Sequence, residues 1–248
     1  MSGLRIERDS AVLRITLARP ERRNAFDAEL IAGLTEAFSD VGDARAVVLA
    51  GDGDTFCAGA DIEWQRSAIE LSFEDNVDDA LRLYRMLETI DSCPAPVVVR
   101  VQGYCLGGGC GLVSCADVAI AGEDAVFGFS EVKLGIVAAV ISPFALARIG
   151  LGAARRYFLT GERFDVDVAL RIGLVHEVAP ALDDAVERVL GELLSAGPNA
   201  VREAKRLIRT GPRDGHALAE LAARMRTSEE GQDGLRAFLE RRKPGWLT

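Results

Sequence analysis

Two stretches decide the fold of this chain: FCAGADI at residues 56–62 and GYCLGGGCGL at residues 103–112. In each, small residues stand where an apolar run gives way to a turn or helix, so backbone N–H groups can approach a ligand carbonyl closely. A helix starting within the Gly107–Gly111 run adds unsatisfied donors and a favourable dipole. Two such donors, one from each loop, would stabilise an enolate or tetrahedral oxyanion, each by roughly 3–4 kcal/mol. A nucleotide loop is excluded, because residues 107–111 lack the G-x-x-x-x-G-K-[ST] pattern and no acidic residue follows at dinucleotide spacing.

The flanking pattern is that of an α/β protein. Leu4–Arg8 and Ala11–Leu17 read as a hairpin around Asp9-Ser10. Asp27 caps a helix with Leu30, Ile31, Leu34, Ala37 and Phe38 at helical spacing. Ala46–Ala50 and Val97–Val101 are continuous apolar runs, expected of strands buried on both faces. Between them a helix is predicted from about Glu74 to Ile90, with Val77, Leu81, Tyr84 and Leu87 on one stripe and Pro94 and Pro96 beyond its end. The Gly107–Gly111 run leads into a helix through Leu112 and Val113, and Asp117–Ala121 and Val126–Phe129 complete the strands. After Ser142-Pro143 helices dominate, with a stripe at Val186, Val189, Leu190, Leu193 and Leu194. The division expected is an α/β core over 1–190 and a helical C-terminal region over 191–248.

Composition narrows the function. The 248 residues, 49% hydrophobic and 27% charged, can bury a sizeable core. A net charge of −9 argues against nucleic acid or an anionic membrane as partner. It leaves room for an anionic ligand held by a local basic cluster such as Arg22-Arg23 or Arg241-Arg242-Lys243, although most such clusters are solvated surface. Cys57, Cys93, Cys105, Cys110 and Cys115 form no CxxC pair, and His176 and His216 are the only histidines, so a metal site is rejected and reduced thiols in a cytoplasmic protein are expected. The N-terminus shows no basic-then-apolar leader, and Arg100, several glycines and Asp117 interrupt the apolar stretch Val97–Ala121, so no membrane span is expected.

The pair FCAGADI and VQGYCLGGGCGL…CADVAIAGEDAVFGFSEVKLG resembles the two signature segments of the enoyl-CoA hydratase/isomerase (crotonase) superfamily. The likeness extends from RPERRNAF (19–26) to GLRAFLERRKPGW (234–246). It implies a spiral of ββα units with a helical C-terminal trimerisation region, assembled as a homotrimer or a dimer of trimers. It implies that the Ala60 and Gly108 amides hold the thioester oxygen of an acyl-CoA substrate, with Glu131 as the catalytic carboxylate. Arg22, Arg23, Asn24 and Ala25 and the run Ala58, Gly59, Ala60, Asp61 and Ile62 are implied to line the coenzyme A groove, and Phe238 and Lys243 to reach the CoA phosphates, often those of a neighbouring subunit. Coenzyme A enters as part of the substrate. No metal, flavin or nicotinamide cofactor is called for, because the chemistry is proton transfer without redox change.

Hydrating a 2-enoyl thioester requires water activated at C3 and a proton delivered at C2, work that two carboxylates share naturally. Typical hydratases of the family carry one Glu just after the GGGC-like run and a second downstream. This chain has Gly111 at the first position and Glu131 at the second. Glu131 sits among Phe127, Phe129, Val132 and Leu134, surroundings that would raise its pKa towards an acid/base range. A single carboxylate suits an isomerase, since one base can take and return a proton. The segments GLVSCADVAI, SEVKLGI, AVISPF and AARRYFLTGERFD nevertheless look like the bacterial methylglutaconyl-CoA hydratase branch, which also carries Gly there; Ala138 departs from that branch's usual Pro. A carboxylated acyl chain would want a cation, for which Lys133 and Arg148 are candidates, and Trp64 could form a lid. The readings are therefore an enoyl-CoA hydratase, a Δ3,Δ2-enoyl-CoA isomerase, and a non-catalytic acyl-CoA-binding relative.

Overall fold

Ser10, at φ 51°, turns the chain between β1 (Leu4–Asp9) and β2 (Val12–Leu17), which pair antiparallel as the expected hairpin. The computed structural model describes residues 3–211 and 214–247. In α1 (Ala28–Ser39) the Asp27 carboxylate accepts from the Leu30 N–H at 2.9 Å, and the buried face is the predicted Leu30, Ile31, Leu34, Ala37 and Phe38 together with Gly33. There follow β3 (Ala46–Gly51), α2 (Ile62–Ala68), α3 (Phe73–Ser92), β4 (Val97–Val101), β5 (Tyr104–Leu106) and α4 (Gly108–Cys115). Then come β6 (Val118–Ala121), β7 (Val126–Gly128), α5 (Ser142–Thr160), β8 (Arg163–Asp165), α6 (Val166–Arg171) and β9 (Glu177–Val178). The chain closes with α7 (Leu182–Ser195), α8 (Pro198–Thr210), α9 (Gly215–Thr227) and α10 (Glu229–Glu240).

The strands form a six-stranded sheet of order β1-β2-β3-β4-β6-β9 and a three-stranded sheet of order β5-β7-β8. A repeating unit explains both. The chain lays one strand in the large sheet, turns, lays a short strand in the small sheet and enters a helix, as in β4-β5-α4 and β6-β7-α5. Isolated parallel bridges, Phe26 to Ala60 and Cys57 to Cys105, extend the small sheet towards the earlier turns of the chain. This is a spiral of ββα units, its sheets parallel except at β1–β2 and β7–β8. β3 and β4 are almost wholly buried, as continuous apolar strands should be.

Two features of the fold differ from the sequence reading. β5, β8 and β9 span 3, 3 and 2 residues, too short for alternation to register. The predicted stripe on α3 buries only towards its C-terminal end, at Met86, Leu87 and Ile90, while Val77 and Leu81 are each 40% exposed. Gly150, at φ 71°, breaks the helical path of α5.

α7 packs its apolar stripe, Val186, Val189, Leu190, Leu193 and Leu194, on the large sheet, whereas α8 is tied to the core by a buried polar anchor. The buried Lys205 ammonium donates to the Ala95 carbonyl at 3.0 Å and pairs with Asp117 at 2.6 Å, and Asp117 also accepts from the Val97 N–H at 2.7 Å. One carboxylate thus fastens the starts of β4 and β6 and the middle of α8. The Arg45 guanidinium donates to the carbonyls of Leu194, Ala196 and Trp246. α7 runs continuously through residue 190. Asp117→Ala leaves the Lys205 charge with a single carbonyl, and we expect a loss of roughly 2–3 kcal/mol in the free energy of urea unfolding.

Candidate active site

Backbone accounting locates the site. In the loop after β3, the Phe56 N–H donates to the Gln102 carbonyl at 2.9 Å, Cys57 to Tyr104 at 3.1 Å, Ala58 to Arg23 at 3.0 Å and Asp61 to Phe26 at 2.7 Å. The Gly59 N–H is directed at the Cys57 sulfur. The Ala60 N–H alone in this run has no acceptor among the described residues. In the second loop Gly107 donates to Gly128 at 2.8 Å, and the first α-helical bond of α4 is Gly111 to Gly107 at 3.2 Å. The Gly108 N–H therefore begins α4 without an acceptor among the described residues, at the positive end of the helix.

The two loops touch. Gly59, at φ 94°, approaches so closely that a Cβ there would lie 3.0 Å from the Leu106 oxygen and 3.8 Å from the Gly108 nitrogen. Gly107 has φ 51° and ψ −117°, a conformation open to glycine alone, and a Cβ on it would stand 3.2 Å from Glu131 Oε1. The Glu131 carboxyl is thus packed against the residue that precedes the free Gly108 amide.

Glu131 opens a 3-10 turn, Glu131–Leu134, two residues beyond Phe129, whose ring lies 4.6 Å from Phe158 and 6.2 Å from Phe164, centre to centre. Its Oε2 is buried without a hydrogen-bond partner among the described residues. Burial pushes its pKa above the usual carboxylate range, opposed only by its own backbone N–H. A carboxylate held up by desolvation, with a free oxygen beside unbonded amides, is equipped to move a proton where a negative oxygen develops. Cys57, the thiol that the Gly59 N–H faces, is fully buried, and burial pushes it up to about 12, which excludes it as a thiolate nucleophile near neutral pH.

Of the remaining predicted site residues, Arg22 and Asp61 meet beside the first loop. Asp61 caps α2, accepting from the Glu63 N–H at 2.9 Å, and meets Arg22 at 3.1 Å and Arg19 at 3.6 Å. Burial raises the Asp61 pKa, but Arg22 and the helix amides outweigh it and hold the carboxyl below its ordinary value. Arg23 is exposed in a left-handed conformation (φ 52°), Ala25 is buried, Ala58 is half-buried, and Ile62 is 75% exposed. Arg19, Arg22, Asp61 and Trp64 border an open cleft of about 400 Å³. Phe238, 81% exposed on α10, and Lys243 have no hydrogen bond or ion pair to this group among the described residues.

Neither candidate cation faces the carboxyl of Glu131. Arg148 donates to the Leu174 and Ala116 carbonyls at 3.2 and 2.9 Å, a structural tie between α5 and the residues flanking the β6 and β9 strands. Lys133 lies along Gly161, where a Cβ would be 3.1 Å from its Cγ. The sequence reading placed Asn24 on the coenzyme A groove, whereas the structure buries its side chain as a clamp between loops. Fully buried at φ 53°, its side-chain amide donates to the Asp52 and Thr55 carbonyls at 2.9 and 2.7 Å and its oxygen accepts from the Arg19 N–H at 2.9 Å. An Asn directly after two arginines in a loop, a residue that tolerates the left-handed region, was the available signal.

The family model described as Enoyl-CoA hydratase/isomerase matches residues 7–248. The chain belongs to this family. The crotonyl-CoA hydratase of Syntrophomonas wolfei is 30% identical over 255 residues, spanning 98% of this chain and 97% of that protein. An enoyl-CoA hydratase crystal structure from Shewanella pealeana superposes at TM-score 0.93 with 40% identity, covering 98% of this chain and 96% of that one. Pseudomonas aeruginosa AtuE superposes at TM-score 0.94 with 39% identity over 100% of both chains. The spiral is therefore the crotonase fold of the enoyl-CoA hydratase/isomerase family.

Two outcomes follow from this geometry. Asn24→Ala removes three hydrogen bonds, one buried and two part-buried, and should lower the unfolding free energy by about 2–4 kcal/mol in urea titrations. Because the folded state favours neutral Glu131, wild-type stability is lost as pH rises from the ordinary glutamate range through the raised folded value. Glu131→Gln cannot ionise, so its melting temperature should exceed the wild type's at neutral pH and converge with it in acid.

Proposed function

We propose that this chain is an enoyl-CoA hydratase that adds water to a 2-enoyl-CoA thioester or removes it. The observation that carries the reading is the unpaired, desolvated Glu131 carboxyl packed on Gly107, one residue before an unbonded helix-starting amide. In this reading the Ala60 and Gly108 N–H groups hold the thioester oxygen. The Glu131 carboxylate takes a proton from water as the oxygen bonds to C3, and the electrons of the double bond move onto the held oxygen as an enolate. The protonated Glu131 then returns that proton to C2, the enolate collapses, and one molecule of water has been added. Oxyanion donors of this kind contribute about 3–4 kcal/mol each.

Arg22, Arg23, Ala25, Ala58, Asp61 and Ile62 are assigned to the CoA groove, with Arg22 held ready by Asp61. Phe238 and Lys243 are assigned to the CoA of a neighbouring subunit in a homotrimer or dimer of trimers, which fits the exposure of Phe238, Leu239 and Ile208 on the C-terminal helices. The reaction needs no metal or redox cofactor. No helix among the described residues is long and apolar enough to cross a membrane. The finer reading, 3-methylglutaconyl-CoA as substrate, draws its support from the branch-like segments of the sequence. Neither Lys133 nor Arg148 supports it from within this chain.

Gly111 favours a second reading, a Δ3,Δ2-enoyl-CoA isomerase in which Glu131 shuttles one proton between C2 and C4. The two separate in one assay. Loss of the conjugated enoyl absorbance of crotonyl-CoA or 3-methylglutaconyl-CoA, lowered about 10²–10⁴-fold by Glu131→Gln, is the expected result. The rate should fall as pH drops through the raised Glu131 pKa, along a single limb. Inert 2-enoyl thioesters combined with conversion of a 3-enoyl-CoA would replace hydratase by isomerase.

A further inference from the structure

We infer that Ile141 stands in the space into which a second acid/base side chain would project from position 111, and that Ile141 therefore fixes the site as a one-carboxylate centre. Gly108 and Gly111 are one helical turn apart and share a face of α4, and a side chain on a helix leans towards its N-terminal end. A side chain at 111 would thus lean towards the first turn of α4, where the Gly108 amide lies three residues earlier. That path is closed. A Cβ built on Gly111 would lie 2.7 Å from Ile141 Cγ2, 3.3 Å from Ile141 Cβ and 3.5 Å from Leu87 Cδ2. Ile141 is 3% exposed and Leu87 is fully buried, so neither can swing into solvent to make room.

Ile141 is also held from behind. It precedes the first residue of α5, and its carbonyl accepts from the Ala145 N–H at 3.0 Å. The contact at 2.7 Å involves a branched methyl on a stiff β-carbon, not the far end of a flexible chain. A residue larger than glycine at 111 must therefore displace α4, which carries the Gly108 amide three residues earlier, or displace the start of α5. Ile141 acts as a positioning residue: it sets where α4 begins relative to Glu131 and leaves acid/base work to Glu131 alone. The catalytic part of this inference rests on the hydratase reading, whereas the steric fit of Gly111 to Ile141 does not.

The test is a double-mutant cycle on the full chain with Gly111→Ala and Ile141→Ala, followed by Gly111→Glu in both backgrounds. Gly111→Ala adds only the Cβ. In the Ile141 background it should lower the melting temperature and cut kcat for crotonyl-CoA at least tenfold with little change in KM, because the displaced group is the oxyanion donor. In the Ile141→Ala background both effects should shrink by more than half. Gly111→Glu with Ile141→Ala should then show a second ionisation in its pH–rate profile, which Ile141→Ala alone lacks. Equal effects of Gly111→Ala in the two backgrounds would overturn the inference, as would Gly111→Glu folding with wild-type stability beside an intact Ile141. If crotonyl-CoA is inert with the wild type, the hydratase reading fails, and the melting-temperature cycle still decides whether Ile141 occupies the space.

Discussion

The parallel bridge between Cys57 and Cys105 ties the loop after β3 to the strand before α4, with Cys57 donating to Tyr104 and Leu106 donating back to Cys57. Because the bridge sits between two glycine-bearing turns, it fixes their separation before any ligand arrives. It also uses up the neighbouring amides, so the donors left over are those of Ala60 and the first turn of α4. A buried backbone normally satisfies nearly all its N–H groups, and orphans that survive on rigid elements are preorganised for an incoming oxygen. The spiral serves this end. Each turn of the chain supplies one long strand for stiffness and one short strand or bridge that brings a loop to the same edge.

Glu131 is the complementary expense. Its buried oxygen has no partner, and the arginines that could neutralise a carboxylate are engaged elsewhere: Arg19 and Arg22 with Asp61, Arg156 with Glu162, Arg148 with backbone carbonyls. An ion pair would hold the carboxyl low and ionised, as Arg22 does for Asp61. With its Oε2 unpaired and its carboxyl desolvated, Glu131 has a proton affinity above that of an ordinary carboxylate. The two carboxyls differ in environment: ion pairing holds Asp61 below its ordinary pKa, and burial holds Glu131 above it.

Much of this was legible in the residues. The caps at Asp27, the continuous apolar strands and the two glycine loops each carry a local rule that the fold obeys, and Glu131 was marked by its apolar neighbours. What escaped is what depends on contacts distant in sequence. Val77 and Leu81 keep helical spacing on α3 yet stand half in solvent, because periodicity records a face and not whether this chain covers it. Strands of two or three residues have no period to read. Arg148 looked free to meet an acyl carboxylate, and only the fold shows its donors spent on Ala116 and Leu174, the latter preceding the strand β9 that the sequence did not announce.

Gly111 illustrates the same limit more sharply. From sequence, glycine in place of a glutamate is a subtraction, and subtraction suggests a damaged site. Deleting a buried side chain without compensation leaves a cavity, at a cost that grows by about 24 cal/mol for each Å³ left empty. Here no such hole is left at the Cβ position: Ile141 and Leu87 meet where the side chain would begin, from helices joined to α4 only through the tertiary fold. The missing carboxylate and the isoleucine 30 positions later are therefore one feature of packing, written at two places in the chain. The repacking at Gly111 leaves the Ala60 and Gly108 amides unbonded among the described residues and the Glu131 carboxyl desolvated, so the rest of the candidate site keeps its arrangement.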